Sequence, residues 1–211
     1  MKNLIKKNIN SPQPLLIIED DIVFNSQTFV LIENIIQQLD SNQQWDIIHT
    51  DICIPTAGAM IDFYLSKQKI PVNQLNLISL QDKFYASTAG YIINSKSLQK
   101  VYNLLNNLES LDQPIDLYYR SLTHSGVLNS FATLPFITSL SSRSTQTNIQ
   151  QDAHSYTELV WHTYRKFMWL DSDKDLVNRE IQRIEKSKIP QEAEDLLKIV
   201  SGVFRENYQP K

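Results

Sequence analysis

Apolar positions fall along the chain in two rhythms. Short unbroken runs alternate with stretches in which apolar residues recur every three or four places. Leu15-Leu16-Ile17-Ile18 is the first run. It is too short for a helix core and too continuous for a half-exposed strand, so it predicts a strand buried on both faces of an α/β sheet. Phe29, Ile32, Ile36 and Leu39 then recur at helical spacing through Asp40, with Asn25 or Ser26 as the cap. Ser41-Asn42-Gln43-Gln44 is a turn, and Trp45 to His49 a second short strand. Around Pro55 and Gly58 the pattern gives a loop with a short helix from Met60. Leu77 to Leu80 and Tyr91-Ile92-Ile93 read as further strands. Ser95 caps a helix reaching Leu108, with Leu98, Val101, Leu105 and Leu108 on one face. Pro114 opens a shorter helix, Ile115 to Leu122. Ser130 to Leu134 is a late strand stopped by Pro135, and a polar loop runs from Ser139 to Gln151. Three helical segments follow: Tyr156 to Leu170, Asp175 to Lys186 and Gln191 to Arg205. Met1 to Pro14 is a polar lead with two prolines, expected to be loose. Strands alternating with helices predict an α/β domain over residues 1–150 and a helical extension over 151–211.

Composition narrows the function classes. A chain of 211 residues can bury a real core as one domain, or one domain with a helical appendage. Net charge is -3 with 20% charged residues, so no basic field marks a nucleic-acid partner. The single cysteine, Cys53, offers neither an intrachain disulfide nor a metal-type pair, which suits a reducing, cytoplasmic setting. Lys2, Lys6 and Lys7 precede an apolar run as in a signal peptide, but Leu15 to Ile18 is too short for one and ends in acids. No stretch approaches transmembrane length. Trp161, Tyr164 and Met168 form an apolar stripe beside Arg165 and Lys166. Such a stripe packs against a sheet more economically than it rests on a membrane surface, the alternative being peripheral contact with the inner membrane.

The chemistry gathers where the first strand ends, at Glu19-Asp20-Asp21. Adjacent carboxylates repel, and a divalent cation or a basic partner relieves that strain. Open α/β sheets also place their ligands at the carboxyl ends of strands. His49 ends a strand, where it either touches ligand or closes a hydrogen bond; His124, His154 and His162 have no partners at metal spacing and read as structural.

Leu16 to Asp21 together with Asp46 to Pro55 resembles a response-regulator receiver domain, with Asp51 as phosphoacceptor and Ser79 and Lys96 as its switch residues. The spacing argues against it. A receiver needs a helix, a strand and a second helix between its acids and its phosphoacceptor, and only one helix fits before Trp45. A receiver's lysine is also followed by proline, whereas Ser97 follows Lys96.

A second resemblance covers most of the chain as far as Gln150. Glu19-Asp20-Asp21 after an apolar strand is followed by a helix and then Trp45-Asp46-Ile47-Ile48. Next come Thr88-Ala89-Gly90-Tyr91-Ile92-Ile93 before a helix, Pro114-Ile115-Asp116, and Leu134-Pro135 ahead of the Ser-rich stretch from Ser141 to Ile149. In this order the motifs resemble glycosyltransferase family 25, which includes bacterial lipooligosaccharide galactosyltransferases and procollagen galactosyltransferases. The resemblance implies a GT-A-like nucleotide-sugar transferase sheet flanked by helices. It implies transfer of a hexose, galactose first, from a nucleotide sugar to a glycan or lipid-linked glycan acceptor in surface-polysaccharide synthesis. It implies Mn²⁺ or Mg²⁺ held by Asp21 and Glu19, with Asp20, Thr88, Tyr91 and Arg143 at the donor and acceptor, and Asp116 as catalytic base. Tyr91 is equally readable as a core-edge aromatic, Arg143 as a solvated loop charge, and Asp116 as a residue that merely favours a helix start. Family members carry a strand and an Arg-rich segment well upstream of the acids, whereas Met1 to Pro14 alone precedes Leu15 here. The expectation is therefore a missing first nucleotide-binding unit and weak donor binding. The alternative function is a non-catalytic remnant that serves as a binding module.

Overall fold

The computed structural model describes residues 1–40, 44–71, 74–108, 113–141 and 156–186. The elements run α1 (Lys2–Asn8), β1 (Leu15–Ile18), β2 (Ile22–Phe24), α2 (Thr28–Asp40), β3 (Ile47–His49), α3 (Ala57–Gln68), β4 (Asn76–Ser79) and β5 (Gly90–Ile93). A 3₁₀ turn, Ser95–Ser97, leads into α4 (Leu98–Asn106); then come α5 (Ile115–His124), β6 (Ser130–Leu134), β7 (Thr138–Leu140), α6 (Tyr156–Met168) and α7 (Lys174–Lys186).

Five strands form one mixed sheet in the order β1-β5-β3-β6-β4. β3 and β6 are parallel, and every other neighbouring pair is antiparallel. Hence β1, β3 and β6 point the same way, and their carboxyl ends share an edge with the amino end of β5. The side-chain alternation of the strands divides the core by face. Leu15, Ile17, Ile47, Tyr91 and Ile93 pack with Ile5 of α1, with α4 and with Tyr119 of α5. Leu16, Ile48, Ile92 and Phe131 take the opposite pleat and pack with Ile32, Ile35 and Leu39 of α2 and with Trp45. A third cluster joins Ala132 and Leu134 of β6 to α3, α6 and α7 through Met60, Tyr64, Tyr164, Phe167, Met168, Val177 and Ile181. Tyr164 and Met168 therefore face protein, as the packing reading of that stripe expects. The helix expected over Gln191 to Arg205 lies outside the described residues.

Three expectations change. The strand Leu15–Ile18 is less buried than expected: it lies at the sheet edge, its first three residues half-buried and Ile18 43% exposed. Leu15 and Ile17 still pack towards α1 and α4, and Leu16 towards α2 on the other face, which explains the apolar run. The lead is not loose, because Lys2–Asn8 forms a helix anchored by fully buried Ile5. Finally, β2 and β7 pair antiparallel as a separate ribbon that the pattern did not reveal.

Gly90 sits where the sheet is tightest. A Cβ there would collide with Thr50 Oγ1 and lie 3.5 Å from Thr138 Oγ1. Gly90→Ala should therefore lower stability by about 1–3 kcal/mol, the usual cost of overpacking, seen as a lower urea midpoint. Adding Thr50→Ala, which removes the obstructing hydroxyl, should recover part of the loss.

Candidate active site

The edge formed by the carboxyl ends of β1 and β3 and the amino end of β5 collects the acidic turn and Asp51. β1 runs into Glu19-Asp20-Asp21, β3 into Thr50-Asp51, and Ser87 to Ala89 lead into β5. The Glu19 N–H donates to the Ala89 carbonyl at 2.8 Å, and the Ser141 N–H donates to the Asp21 carbonyl at 2.8 Å, so both ends of the acidic turn are tied down. Glu19 and Asp20 are exposed, and Asp21 is half-buried. Loss of solvent around its carboxylate pushes the Glu19 pKa up, as does Asp21; Arg165 opposes this, and Asp51 and Asp20 add to it. Those charges thus act on one another across the edge.

Asp51 is fully buried, and its partner comes from the far end of the chain. Arg165 Nη2 of α6 lies 2.7 Å from Asp51 Oδ1, with side-chain exposures of 5% and 0%. Thr138 Oγ1 of β7 donates to Asp51 Oδ2 at 3.0 Å and lies 2.8 Å from Thr50 Oγ1. With its one proton given to the carboxylate, Thr138 accepts from Thr50. Burial opposes the charge on Arg165, but Asp51 and Cys53 hold its pKa up. Burial also raises the Cys53 thiol to about 11, which removes it as a nucleophile at neutral pH. A buried, ion-paired Asp51 in a mixed sheet does not fit the receiver alternative, whose phosphoacceptor must be open to a phosphoryl donor.

Asp116, in the first turn of α5, reaches across to the small-residue segment. Its Oδ2 accepts from the Ser87 N–H at 2.9 Å and its Oδ1 from the Leu117 N–H at 2.9 Å. Ser87 has φ 86°, a backbone state that costs a non-glycine residue about 1–3 kcal/mol, and the carboxylate holds it there. Behind this contact lies His49, fully buried between the rings of Tyr85 and Tyr91 at 5.3 and 6.1 Å. Neither of its ring nitrogens makes a full hydrogen bond. Burial lowers its pKa to about 4, although Asp116 and the Ser87 backbone favour the charged form.

The expected site residues separate. Glu19, Asp20, Asp21 and Thr88 share the edge with Ser87 and its partner Asp116. Tyr91 points into the core, 1% exposed, with its hydroxyl against Met1 Sδ and its ring on Tyr119. Arg143 lies outside the described residues. The Trp45-Asp46 pair belongs to the opposite end of β3. There buried Asp46 accepts from Ser97 Oγ, Lys100 Nζ and the Asn129 N–H, a structural junction. Arg165 and Thr138 escaped the pattern reading because their partner is more than eighty positions away.

Among the described residues no three metal-type side chains already converge. Asp21 nevertheless keeps a buried oxygen, Oδ1, with no hydrogen-bond partner. A lone carboxylate oxygen beside Glu19 fits a hard cation whose remaining ligands are substrate oxygens and water, the usual manner of Mg²⁺ binding.

A family model described as glycosyltransferase family 25 (LPS biosynthesis protein) matches residues 2–119. No curated protein and no solved structure matches the chain.

Two measurements check this geometry. Arg165→Met strands a buried carboxylate and should cost about 3–5 kcal/mol in urea unfolding, and Asp51→Asn in the same chain should return part of it. His49 is held neutral in the folded state, so its contribution is complete above pH 6.5 and is lost as pH falls towards 4. Acid titration should therefore remove up to about 3 kcal/mol across that window, and His49→Leu should flatten it. Glu19, with its raised pKa, acts in the opposite sense and would mask only part of the loss.

Proposed function

The chain belongs to glycosyltransferase family 25, and on that premise we propose that it moves a hexose, galactose first, from a nucleoside diphosphate sugar to a glycan acceptor in lipopolysaccharide-type surface-glycan synthesis. The observation that carries the site assignment is the meeting of Glu19-Asp20-Asp21 and the Asp116–Ser87 contact at one sheet edge.

Glycosyl transfer has three physical demands. Charge on the departing diphosphate must be neutralised, the acceptor hydroxyl must lose its proton, and the two substrates must be held in line. Asp21, through its unpartnered oxygen, and Glu19 would hold a Mn²⁺ or Mg²⁺ ion. When bound, that ion supplies the charge neutralisation at the diphosphate. Asp20, exposed on the same turn, faces the donor, and Thr88 lines the sugar position beside it. Arg143 is assigned to the diphosphate. Asp116 is the base: each carboxylate oxygen accepts one backbone N–H and keeps a further acceptor position for the proton of the acceptor hydroxyl. The two N–H bonds fix its direction, so the carboxylate needs no reorientation as the proton moves. Tyr91 supports this edge from behind, through the tilted contact of its ring with His49. No helix among the described residues is long and apolar enough to cross a membrane. We assign the work to the cytoplasmic side, with contact to a lipid-linked acceptor at the inner membrane.

The test uses uridine diphosphate hexoses, Mn²⁺ and a truncated lipooligosaccharide, followed by nucleotide release and acceptor mass. Asp116→Asn should cut turnover by about 10²–10⁴-fold while Mn²⁺–uridine diphosphate binding stays near wild type. A folded mutant with wild-type turnover would remove Asp116 from the mechanism. Asp21→Asn should lose calorimetric Mn²⁺ binding in the presence of uridine diphosphate, and equal binding by both proteins would remove Asp21. No nucleotide release with any donor, alongside saturable glycan binding, would instead make the chain a binding module.

A further inference from the structure

Three side chains on one face of α5, spaced a turn apart, grip the segment that leads into the candidate site. Asp116 accepts from the Ser87 N–H, Arg120 Nη1 donates to the Tyr85 carbonyl at 2.9 Å, and the His124 ring lies 2.8 Å from the Lys83 carbonyl. Alternate residues of an extended stretch are thereby pinned in turn. Tyr85 points inward and is fully buried, so Phe84 points outward. Phe84 is 63% exposed, more than any other large apolar side chain among the described residues. It is nevertheless ordered from two sides: the Arg120 guanidinium sits 4.8 Å over the ring, and the His124 ring lies 6.0 Å away.

We propose that Phe84, Arg120 and His124 form a saccharide-binding platform that receives the acceptor glycan. The inference rests on the transferase function proposed above and extends it. With Arg120 over one side of the ring and 63% of the residue exposed, the side away from the guanidinium is left to offer its negative quadrupole to the C–H face of a hexose ring. The guanidinium, the imidazole and nearby Lys83 supply polar groups for hydroxyl oxygens around the rim. The placement suits an acceptor. The platform follows the α5 face from Asp116 over two turns, about 11 Å, so a glycan resting there can present its terminal hydroxyl to that carboxylate. A pinned backbone keeps the ring from collapsing onto the protein, which lowers the ordering cost of binding.

The test is direct binding followed by kinetics. Wild-type protein labelled with ¹⁵N is titrated with lacto-N-neotetraose and, in a separate arm, with 3′-sialyllactose. Amide shifts should cluster at Lys83, Tyr85 and Arg120. Phe84→Ala and Phe84→Leu should weaken binding about fivefold or more, whereas Phe84→Trp should retain it, because stacking requires a ring rather than mere apolarity. In turnover assays the Phe84→Ala change should appear in the acceptor KM rather than in the donor KM. Tighter binding in the second arm would add recognition of a carboxylate by Arg120 to the stacking; equal binding would leave stacking as the whole interaction. Absence of shifts with both glycans, or equal binding by wild type and Phe84→Ala, overturns the platform. Nucleotide release with an unaffected Phe84→Ala acceptor KM overturns it while leaving the transferase function standing. Glycan binding at Phe84 without nucleotide release from any donor does the reverse.

Discussion

The buried pair of Asp51 and Arg165 ties the chain's distant parts to the edge that carries the acidic turn. Asp51 follows β3, Arg165 lies on α6, and their charges meet where solvent is excluded. Either charge alone in that position would cost several kcal/mol, so each is tolerable only with the other in place. Thr138 brings β7 to the same carboxylate, and β7 pairs with β2, which follows the acidic turn. The Ser141 N–H, just beyond β7, then holds the Asp21 carbonyl. One ion pair thus links the C-terminal helices, the ribbon and the acids. Residues 2–119 carry the family match, yet the order of that edge also depends on residues beyond them.

Much of this was legible because the relevant patterns are local. The helical spacing of Ile32, Ile36 and Leu39, and of Leu98, Val101 and Leu105, marked α2 and α4, and the run before Pro135 marked β6 to its end residues. β1 was misplaced for a physical reason. Covering both faces of a strand produces the same apolar run whether or not its outer edge is paired, and hydropathy reports faces rather than edges. α1 has one buried residue in seven, too few to set a period. β2 and β7 have three residues each and are stabilised by one another rather than by local propensity.

The site divides along the same line. The acids, Thr88 and Asp116 were visible because motif order and helix starts are sequence-adjacent features. The Trp45-Asp46 motif was visible too, but its position gives it another meaning. At the amino end of β3, Asp46 collects three donors and fixes the start of α4 and of β6, so the motif records the fold rather than the reaction. Arg165 shows the opposite case. Its chemistry is central, but nothing around it in sequence announces a carboxylate on another strand, and an arginine beside a lysine on a helix usually faces water.

Asp116 joins structure and chemistry at one atom pair. Ser87 occupies a backbone state that only local support makes tolerable, and the Asp116 carboxylate supplies that support through the Ser87 N–H. A carboxylate used in this way cannot wander: its own helix start fixes one oxygen, and the small-residue segment fixes the other. That restriction is what a base requires, since a proton must be taken from one direction at one distance. The same bonds tie the position of Asp116 to the conformation of Ser87, Thr88 and Ala89, and Ala89 in turn holds the Glu19 N–H. A displacement of the acidic turn therefore reaches Asp116 through two hydrogen bonds and one short segment. The acidic turn and the proposed base are thus joined through the backbone of Ser87 to Ala89 and the one side-chain contact of Asp116.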